Sequence, residues 1–436
     1  MLSMVAKEKI ITRFPPSPTG PFHVGNARTA LFNYLFTKQN GGKLLFRLED
    51  TDKERSKKEY EDDIINGLKW LGIDLNFSNM VRQSERAEIY KKYIQKMINE
   101  GNAYMAEEAH LRSSPRPELG TKAGQVIRFK NPNKKIKFND LIRGEIEFDT
   151  TELKDFVIAK SFDEPVYHLA VVADDFEMGV THIIRGEDHI SNTPRQILIQ
   201  EAIGAPRPVY AHLPLVLAPD RSKLSKRKHG EHVSLSYYKK LGYLPEAMVN
   251  FLALLGWNSG TDQEIFSMEE LIKEFDIKKI QKAGAIFNIE KLNWINSQYI
   301  KKMDTEKLME LCAPYLEKEK IKKIIGIQKE RMNKLSDISE DIDYFFEQPE
   351  YEKEKLLWKN EDNLNKTKIH LQKVAELIGD KKAIRDYAEK EGRGNVLWPF
   401  RMALTGEDKS PDPFIVAEIL GKEETIKRLK NAIKKI

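Results

Sequence analysis

The chain has 436 residues, of which 40% are hydrophobic and 32% are charged. This length is too great for one compact core and this apolar content excludes general disorder, so we expect two to four globular domains. A net charge of +5 is only mildly basic, so a polyanion would have to bind local patches. The single cysteine, Cys312, excludes a disulfide framework and a multi-cysteine zinc site, which favours a reducing compartment and a cytoplasmic location. No apolar run approaches about eighteen residues, so we expect neither secretion nor a membrane span.

The first hundred residues alternate between strand-like and helix-like segments. Residues 8–14 and 43–48 form short β-branched or apolar runs typical of strands, and residues 27–38 between them have helical spacing. Two amphipathic helices are predicted at 57–71 and 85–100. This order favours an α/β domain.

The composition and the spacing of apolar residues change after the first hundred residues. Residues 101–160 contain short strand-like pieces amid Pro, Gly, Asn and Lys, which indicates a small inserted α+β module. Strands are predicted at 166–172 and 182–185 and a helix at 194–203, consistent with a return to the first sheet. After about Leu235 the spacing is almost wholly helical. The predicted segments are 1–100, 101–160, 161–234, 235–304 and 305–436.

A proline- and glycine-rich loop precedes the first predicted helix. It reads RFPPSPTGPFHVGN over residues 13–26. The prolines fix φ, and Gly25 lets the backbone come close to a ligand where the helix begins. A helix N-terminus offers unpaired N–H groups and a partial positive charge to phosphate oxygens, and His23 adds a donor there. On its own, such a loop is more often a plain connection.

A dense basic loop, RSKLSKRKHG, occupies residues 221–230. Alone it is typical of a solvated surface loop or a nonspecific nucleic-acid patch. Its combination with the His-x-Gly loop, after the second half of a split α/β domain, is far more specific and indicates a nucleotide site.

These two motifs, His23-Val-Gly-Asn26 and Lys223-Leu-Ser-Lys-Arg227, resemble the signatures of class I aminoacyl-tRNA synthetases. Within that class the chain resembles the bacterial-type glutamyl-tRNA synthetases. The resemblance runs from Thr12 to the last helix and is weakest between Glu107 and Gly124. Further stretches that share it are residues 13–20, 47–52, 167–170, 184–189 and 397–406.

The resemblance implies a Rossmann-type parallel-sheet catalytic domain in two halves, split by the insertion, which would bind the tRNA acceptor end. The all-helical region that follows would contact the tRNA stem through residues 235–304 and the anticodon through residues 305–436. It also implies a monomeric ligase that forms glutamyl-adenylate from L-glutamate and ATP, with Mg²⁺ accompanying ATP, and then charges tRNA(Glu). Efficient activation would require bound tRNA, and tRNA(Gln) stays open as a second substrate.

The resemblance implies an ATP site made of His23, Gly25, Asp188, Lys223, Ser225 and Lys226. His23 and Gly25 would bind the phosphates, and Lys223 and Lys226 would neutralise the charge that grows on the α-phosphate and pyrophosphate. Adenylyl transfer depends chiefly on placement and on cations aimed at the transition state, so this division of roles is chemically sensible.

The implied glutamate site consists of Arg13, Ser17, Glu49, Tyr167 and Arg185. Arg13 would bind the side-chain carboxylate with its fixed donor fork, and Arg185 would face a second carboxylate of the substrate. Glu49 would receive the substrate ammonium, and Ser17 and Tyr167 would be neutral donors. Without the resemblance, we would assign Glu49, Asp50 and Asp52 to a solvated acidic turn or a magnesium site. Arg185 would be assigned to an ordinary salt bridge.

The choice of glutamate over glutamine rests on two features. Ser17 stands where glutaminyl relatives carry an acidic residue, and the C-terminal region is helical where theirs is built of β-barrels. The basic helices with Trp358, Trp398 and Phe400 fit a module that reads tRNA bases by stacking, and Arg331 is a candidate anticodon contact. The alternatives are a structural helical bundle, a glutaminyl-tRNA synthetase, a tRNA-modifying paralogue and a catalytically silent tRNA-binding protein.

Two departures from the family pattern matter. Asn26 replaces the second histidine of the first signature, a change that the phosphate contacts of His23 and Gly25 would tolerate. The insertion is short and has no cysteines around Ala103–Ala106, so we expect no zinc.

Overall fold

The structure, a computed structural model, describes residues 9–107, 124–359 and 363–436, with only the backbone for Lys226 and Arg227. The chain divides into two compact units, Met1–Asn296 and Ser297–Ile436. No helix among these described residues is long and apolar enough to cross a membrane.

The regular elements alternate in the first unit and are mainly helical afterwards. The strands are β1 (Ile11–Phe14), β2 (Lys43–Leu48), β3 (Val81–Arg82), β4 (Ala103–Glu107), β5 (Gln125–Phe129), β6 (Lys135–Asp140), β7 (Gly144–Asp149), β8 (Phe156–Ala159), β9 (His182–Gly186), β10 (Val209–Leu213), β11 (Val216–Leu217) and β12 (Ala285–Ile286). The helices are α1 (Val24–Gln39), α2 (Lys58–Trp70), α3 (Ala87–Asn99), α4 (Tyr167–Glu177), α5 (Thr193–Ile203), α6 (Lys226–His229), α7 (Leu235–Lys240), α8 (Pro245–Leu254), α9 (Met268–Glu274), α10 (Ile289–Lys302), α11 (Thr305–Cys312), α12 (Lys318–Arg331), α13 (Leu364–Leu377), α14 (Lys381–Glu391), α15 (Arg393–Thr405) and α16 (Pro413–Lys435).

Two sheets form the centre of the first unit. One has the order β1-β2-β3 and the other the order β7-β6-β10-β9. All pairings are parallel except β6 with β7. The sheets meet at β1 and β9, where the backbone N–H of Thr181 donates to the carbonyl of Ile11 at 2.9 Å. This arrangement confirms the predicted parallel-sheet α/β fold, although the chain returns to a second sheet beside β1 and not to the first sheet itself.

Helix α1 carries the first signature motif into the core. It contacts β1, β2 and β9 of the sheets as well as helices α8 and α9. Apolar residues occur on all its faces, which is typical of a helix enclosed by protein. The buried Arg28 of this helix donates from Nη1 to the carbonyl of Leu255 at 3.0 Å, and the ring of Phe32 lies 5.3 Å from that of Phe275. Its N-terminus therefore has a fixed position.

The segment predicted as one inserted module is divided between two sheets. Strands β4, β5 and β8 form a separate antiparallel sheet with the order β4-β5-β8. Strands β6 and β7 instead extend the main sheet, because β6 pairs with β10. Most of the span where the family resemblance is weakest, residues 108–123, lies outside the described residues. The domain boundaries stay predictions.

One prediction of secondary structure needs correction. Residues 166–172 were predicted to be a strand, but residues from Tyr167 onward form helix α4. Positions 169–175 are buried without a break, and a continuous apolar run has no periodicity that separates a strand from an enclosed helix. The region after Leu235 is almost wholly helical, as predicted, with the two-residue strand β12 paired to β11 in parallel.

The second unit is helical and contains the aromatic residues predicted to stack on tRNA bases. Phe400 is fully buried and packs against Phe414, with 5.7 Å between the ring centroids. That part of the prediction is wrong, because Phe400 belongs to the core. Trp358 and Trp398 are half-buried, with 5.1 Å between their ring centroids. Nε1 of Trp398 donates to the carbonyl of Lys355.

Candidate active site

The predicted site residues of the first unit converge at the carboxyl ends of neighbouring strands. Arg13 lies in β1, Glu49 follows β2, Arg185 lies in β9 and Asp188 follows it. In open α/β sheets, ligands bind outside the carboxyl ends of the strands, where the chain order reverses. The meeting point of β1 and β9 is such a place.

His23 caps helix α1 and is held in one orientation. Its Nδ1 accepts from the backbone N–H of Gly25 at 2.9 Å, and a Cβ atom on residue 25 would lie 3.1 Å from the same nitrogen. Burial lowers the pKa of His23 to about 4, opposed by a hydrogen bond to the backbone of Leu224 and reinforced by the nearby Lys223. His23 is therefore neutral at pH 7 and able to act as a hydrogen-bonding group at the helix N-terminus.

The basic loop lies against this helix start. Besides the contact between Leu224 and His23, Lys223 pairs with Leu217 as an isolated bridge. Nζ of Lys223 lies 2.9 Å from Oδ2 of Asp188, which follows β9. The two signature motifs, about two hundred residues apart in sequence, are thus neighbours in space.

The rest of the basic loop is held by contacts within the loop. Ser225 donates its backbone N–H to Nδ1 of His229 at 3.2 Å, and Nζ of Lys228 contacts Asp220 at 2.6 Å. The side chain of Lys226 lies outside the described residues, and its backbone begins the short helix α6.

Arg185 is a buried guanidinium with neutral partners. Its Nε donates to Nε2 of His212 at 3.2 Å, Nη1 to Oε1 of Gln196 at 2.7 Å and Nη2 to Oγ1 of Thr193 at 2.8 Å. Burial lowers the pKa of Arg185. In the part of the chain that the structure describes, Arg185 forms no ion pair, which argues against the ordinary salt bridge considered above. A buried cation without a counterion is suited to an anionic ligand.

Arg13 lies close to Arg185 and is only partly satisfied. Its Nε contacts the Asp175 carboxylate at 3.2 and 3.3 Å, whereas its buried Nη1 has no hydrogen-bond partner among the described residues. Burial would raise the pKa of Asp175, but Arg13 and Arg47 hold it below its ordinary value. Arg13 therefore has a buried donor group available for a ligand.

Glu49 is buried and paired rather than part of a solvated turn. Its Oε1 accepts from Nη2 of Arg47 at 3.0 Å, and its backbone N–H donates to Pro16 in the proline loop. Burial raises the pKa of Glu49, although Arg47 and Arg13 act in the opposite direction. By contrast, the side chain of Asp52 is 39% exposed and pairs with Arg55, which fits a solvated acidic turn. The Asp50 carboxylate instead accepts from the backbone N–H and hydroxyl of Ser84.

Tyr167 lies over the same cluster and Ser17 lies at its entrance loop. Tyr167 is 36% exposed, but desolvation of its phenol at the cluster raises its pKa, as does the charge of Glu49, whereas Arg185 acts in the opposite direction. Its hydroxyl is 3.2 Å from Nδ1 of His189. Ser17 is exposed in the loop after β1, next to the Pro16 carbonyl that binds Glu49.

Several residues of the site were missed by sequence reasoning. Arg47 lies in a stretch quoted for the family resemblance, yet its role as the buried partner of Glu49 and Asp175 was not foreseen. Asp175 lies in helix α4, three residues beyond the stretch predicted as a strand, and no role was assigned to it. Nothing in the sequence alone connects His212 with Arg185.

Two further expectations concern other parts of the chain. Arg331 ends helix α12 in the second unit, where it is exposed and lies near the phenol of Tyr344, so it stays a candidate anticodon contact. Among the residues that the structure describes, no three His, Cys, Asp or Glu side chains are grouped to bind a metal ion. The expected absence of zinc stays a prediction.

Family models match both parts of the chain. The model for "tRNA synthetases class I (E and Q), catalytic domain" matches residues 9–113 and 107–294, and the model for "Anticodon binding domain" matches residues 307–433.

Similar proteins match over nearly the full length. The glutamate–tRNA ligase of Aquifex aeolicus is 42% identical, covering 98% of this chain and 99% of its own. Glutamate–tRNA ligase 1 of Caldanaerobacter subterraneus subsp. tengcongensis is 40% identical, covering 98% of each chain. A crystal structure of a glutamate tRNA ligase from Elizabethkingia meningosepticum in complex with its amino acid is 36% identical with a TM-score of 0.84, covering 98% of this chain and 99% of that one. The chain therefore belongs to the class I tRNA synthetases for glutamate and glutamine, and within them to the family of the glutamate–tRNA ligases.

Proposed function

We propose that the chain activates L-glutamate with ATP to glutamyl-adenylate and transfers the glutamyl group to the 3′-terminal ribose of tRNA(Glu). The observation that carries this proposal is the environment of Arg185. A buried guanidinium with neutral partners on Nε, Nη1 and Nη2 lies near a second arginine, Arg13, whose Nη1 has no partner among the described residues. Two such cations beside Glu49 match a substrate with two carboxylates and one ammonium.

In the first step, a carboxylate oxygen of glutamate attacks the α-phosphorus of ATP and pyrophosphate leaves. We propose that the N–H groups at the start of α1 and the neutral His23 bind the phosphates. Lys223, Lys226 and Ser225 would meet them from the basic loop, and Asp188 would accept from the ribose. Cations placed at the developing charge lower the barrier without any covalent enzyme intermediate. ATP would enter as its magnesium complex, with the ion as part of the substrate.

In the second step, a hydroxyl of the terminal ribose attacks the carbonyl of the mixed anhydride and AMP leaves. We propose that the helical second unit binds the anticodon region, with Arg331 as one contact. Whether tRNA(Gln) is also charged depends on such contacts. The proposal further includes a monomeric enzyme in the cytoplasm.

Glutamine is the competing substrate because the matching family model covers both amino acids. Its amide carries no charge, so it would leave a guanidinium uncompensated in a buried site. Leaving a buried charge unpaired is costly, which favours glutamate. A catalytically silent tRNA-binding protein would have no need of this arrangement.

The test is an aminoacylation assay with tRNA(Glu) and tRNA(Gln), each offered glutamate and glutamine in competition. We expect glutamate to be transferred in preference to glutamine. Arg185→Ala should lower kcat/KM for glutamate by about thirtyfold to several thousandfold, since loss of one charged hydrogen-bonding partner costs roughly 2–5 kcal/mol when its substrate partner stays buried. Arg207→Ala is the matched control, because Arg207 is an exposed arginine paired with Glu201.

Preferential transfer of glutamine would refute the choice of substrate. An absence of ATP–pyrophosphate exchange in the presence of tRNA and both amino acids would instead support the silent tRNA-binding protein.

A further inference from the structure

Three neighbouring strands bring Arg185, His212 and Asp140 into one chain of hydrogen-bonded side chains. His212 of β10 is in register with Arg185 of β9, and Tyr210 of β10 is in register with Asp140 of β6. Nε of Arg185 lies 3.2 Å from Nε2 of His212, and Nδ1 of His212 lies 2.6 Å from Oδ2 of Asp140. This chain of side chains therefore links the cation of the proposed glutamate site to a carboxylate two strands away.

Asp140 is anchored by the backbone. Its Oδ1 accepts from the N–H groups of Ile142 and Arg143, each at 2.9 Å, and its Oδ2 accepts from the N–H of His212 at 3.0 Å. The side chains of Asp140 and His212 are both fully buried. A carboxylate with several backbone donors is fixed in place, so the imidazole that it binds has a fixed orientation.

The hydrogen bonds determine the form of His212. Because an ionised carboxylate only accepts, the proton of the imidazole lies on Nδ1, and Nε2 presents a lone pair to the N–H of Arg185. Burial and the charge of Arg185 both lower the pKa of His212, which keeps the ring neutral. Although burial opposes it, the bonds from His212 and the backbone hold the pKa of Asp140 below its ordinary value.

We propose that Asp140 and His212 are positioning residues, which orient Arg185 toward a carboxylate of the amino-acid substrate while leaving its positive charge uncompensated. The inference rests on the proposed role of Arg185 in binding glutamate. A carboxylate in direct contact would orient the guanidinium equally well, but it would neutralise the charge that should select an anion. A neutral imidazole, itself fixed by a more distant carboxylate, orients the guanidinium without neutralising its charge.

Gln196 and Thr193 support the same interpretation. Both bind Arg185 through neutral oxygens, and Oγ1 of Thr193 also lies 3.2 Å from Nε2 of His212. The ring of Tyr210 lies 5.8 Å below the guanidinium, a cation–π contact that restrains it without adding a charge. All the described contacts of Arg185 therefore restrict its orientation and preserve its charge.

The test measures KM for glutamate, KM for ATP and kcat in full-length variants with tRNA(Glu). His212→Ala should raise KM for glutamate about tenfold to a hundredfold, the value of one hydrogen bond to a charged group. KM for ATP should stay within about twofold, because only the amino-acid site is changed. His212→Gln should restore most of the affinity for glutamate, since its amide oxygen can accept from Nε of Arg185.

Asp140→Asn is the second variant, because it keeps the shape of the side chain and removes its charge. It should raise KM for glutamate in the same way. His182→Ala is the matched control: it removes another imidazole from β9, one that contacts Thr181 and Phe36. Its kinetic constants should equal those of the unmodified protein.

The inference is overturned if His212→Ala and Asp140→Asn leave KM for glutamate unchanged. A second result would also overturn it: in His212→Ala, KM for glutamate and KM for ATP rise together, thermal stability falls, and the His212→Gln variant does not restore the affinity for glutamate. That result indicates a purely structural role. Failure of the unmodified protein to transfer glutamate would refute the proposed function itself, which is a different outcome.

Discussion

Nζ of Lys223 lies 2.9 Å from Oδ2 of Asp188, so the basic loop meets the end of β9 through an ion pair. The side chains are 56% and 43% exposed. Water screens such a pair, and exposed pairs contribute only about 0–1 kcal/mol. The ammonium of Lys223 can therefore exchange Asp188 for a phosphate oxygen at little cost in free energy.

The first prediction concerns this pair. Lys223→Ala should lower ATP–pyrophosphate exchange by roughly a hundredfold to a thousandfold, because it removes a cation aimed at developing charge. Asp188→Asn should lower the rate of ATP–pyrophosphate exchange by about tenfold or less, which corresponds to the loss of one neutral hydrogen bond. Exchange rates and melting temperatures of both variants check this. Equal losses in the two variants, or a large fall in melting temperature, would contradict the assigned roles.

The second prediction concerns Lys226. Lys226→Ala should lose most ATP-dependent glutamylation and still bind tRNA, because the change removes charge stabilisation and leaves the helical unit untouched. Aminoacylation and a filter-binding assay measure the two properties separately. Lys228→Ala is the control from the same loop, since the Lys228 ammonium already contacts Asp220 and Ser222. Normal glutamylation by Lys226→Ala would remove the second signature from the mechanism.

The third prediction concerns acid stability. Burial lowers the pKa of His168 from 6.5 to about 4, so the unfolded chain binds more protons than the folded protein between these values. Stability must then fall as the pH drops from 6.5 toward 4, and His168 alone should contribute roughly 2 kcal/mol of that fall by pH 5. His23 and His189, with pKa values also lowered to about 4, should add to it.

Urea unfolding at pH 7 and pH 5 measures this effect. The loss of free energy of unfolding on acidification should be smaller in His168→Gln than in the unmodified protein. His232→Gln, which removes an exposed imidazole, serves as the control. Parallel pH dependence in all three proteins would contradict the prediction.

The fourth prediction concerns the tryptophan pair of the second unit. A Cβ atom on residue 394 would lie 2.5 Å from Cδ1 and from Cε2 of Trp358. Gly394→Ala should therefore destabilise this unit by about 1–3 kcal/mol, as overpacking does, and should change the tryptophan fluorescence. Gly326→Ala has open space within helix α12 and should stabilise by roughly 0.5–1 kcal/mol. Unfolding followed by fluorescence tests both, and equal stability of the two variants would show that Trp358 tolerates the methyl group.

Elements with clear sequence boundaries were predictable. Strand β2 was predicted at its observed bounds, because an apolar run follows Gly41-Gly42 and ends at an acidic stretch. Helix α4 was not predictable, because it is enclosed by protein and its apolar run has no helical period. Asp175, later in the same helix, was not foreseen either, because its partner Arg13 lies 162 positions away in the sequence.

Residues of the site were predictable only where they belong to a short sequence motif. His23, Gly25 and Lys223 lie in such motifs, and the structure places the two motifs together. The link from Asp140 through His212 to Arg185 depends on the register of β6, β10 and β9. Register is a property of the assembled sheet, so a single sequence contains no local signal for it.

The pairing of β6 with β10 limits how the chain can be shortened. Deleting the whole segment 101–160 would expose β10 as an edge strand, whose unpaired N–H and C=O groups invite association with other chains. It would also remove the carboxylate behind His212. A truncated protein should therefore stay dispersed in solution only if the deletion ends before Lys135 and spares the β6–β7 hairpin.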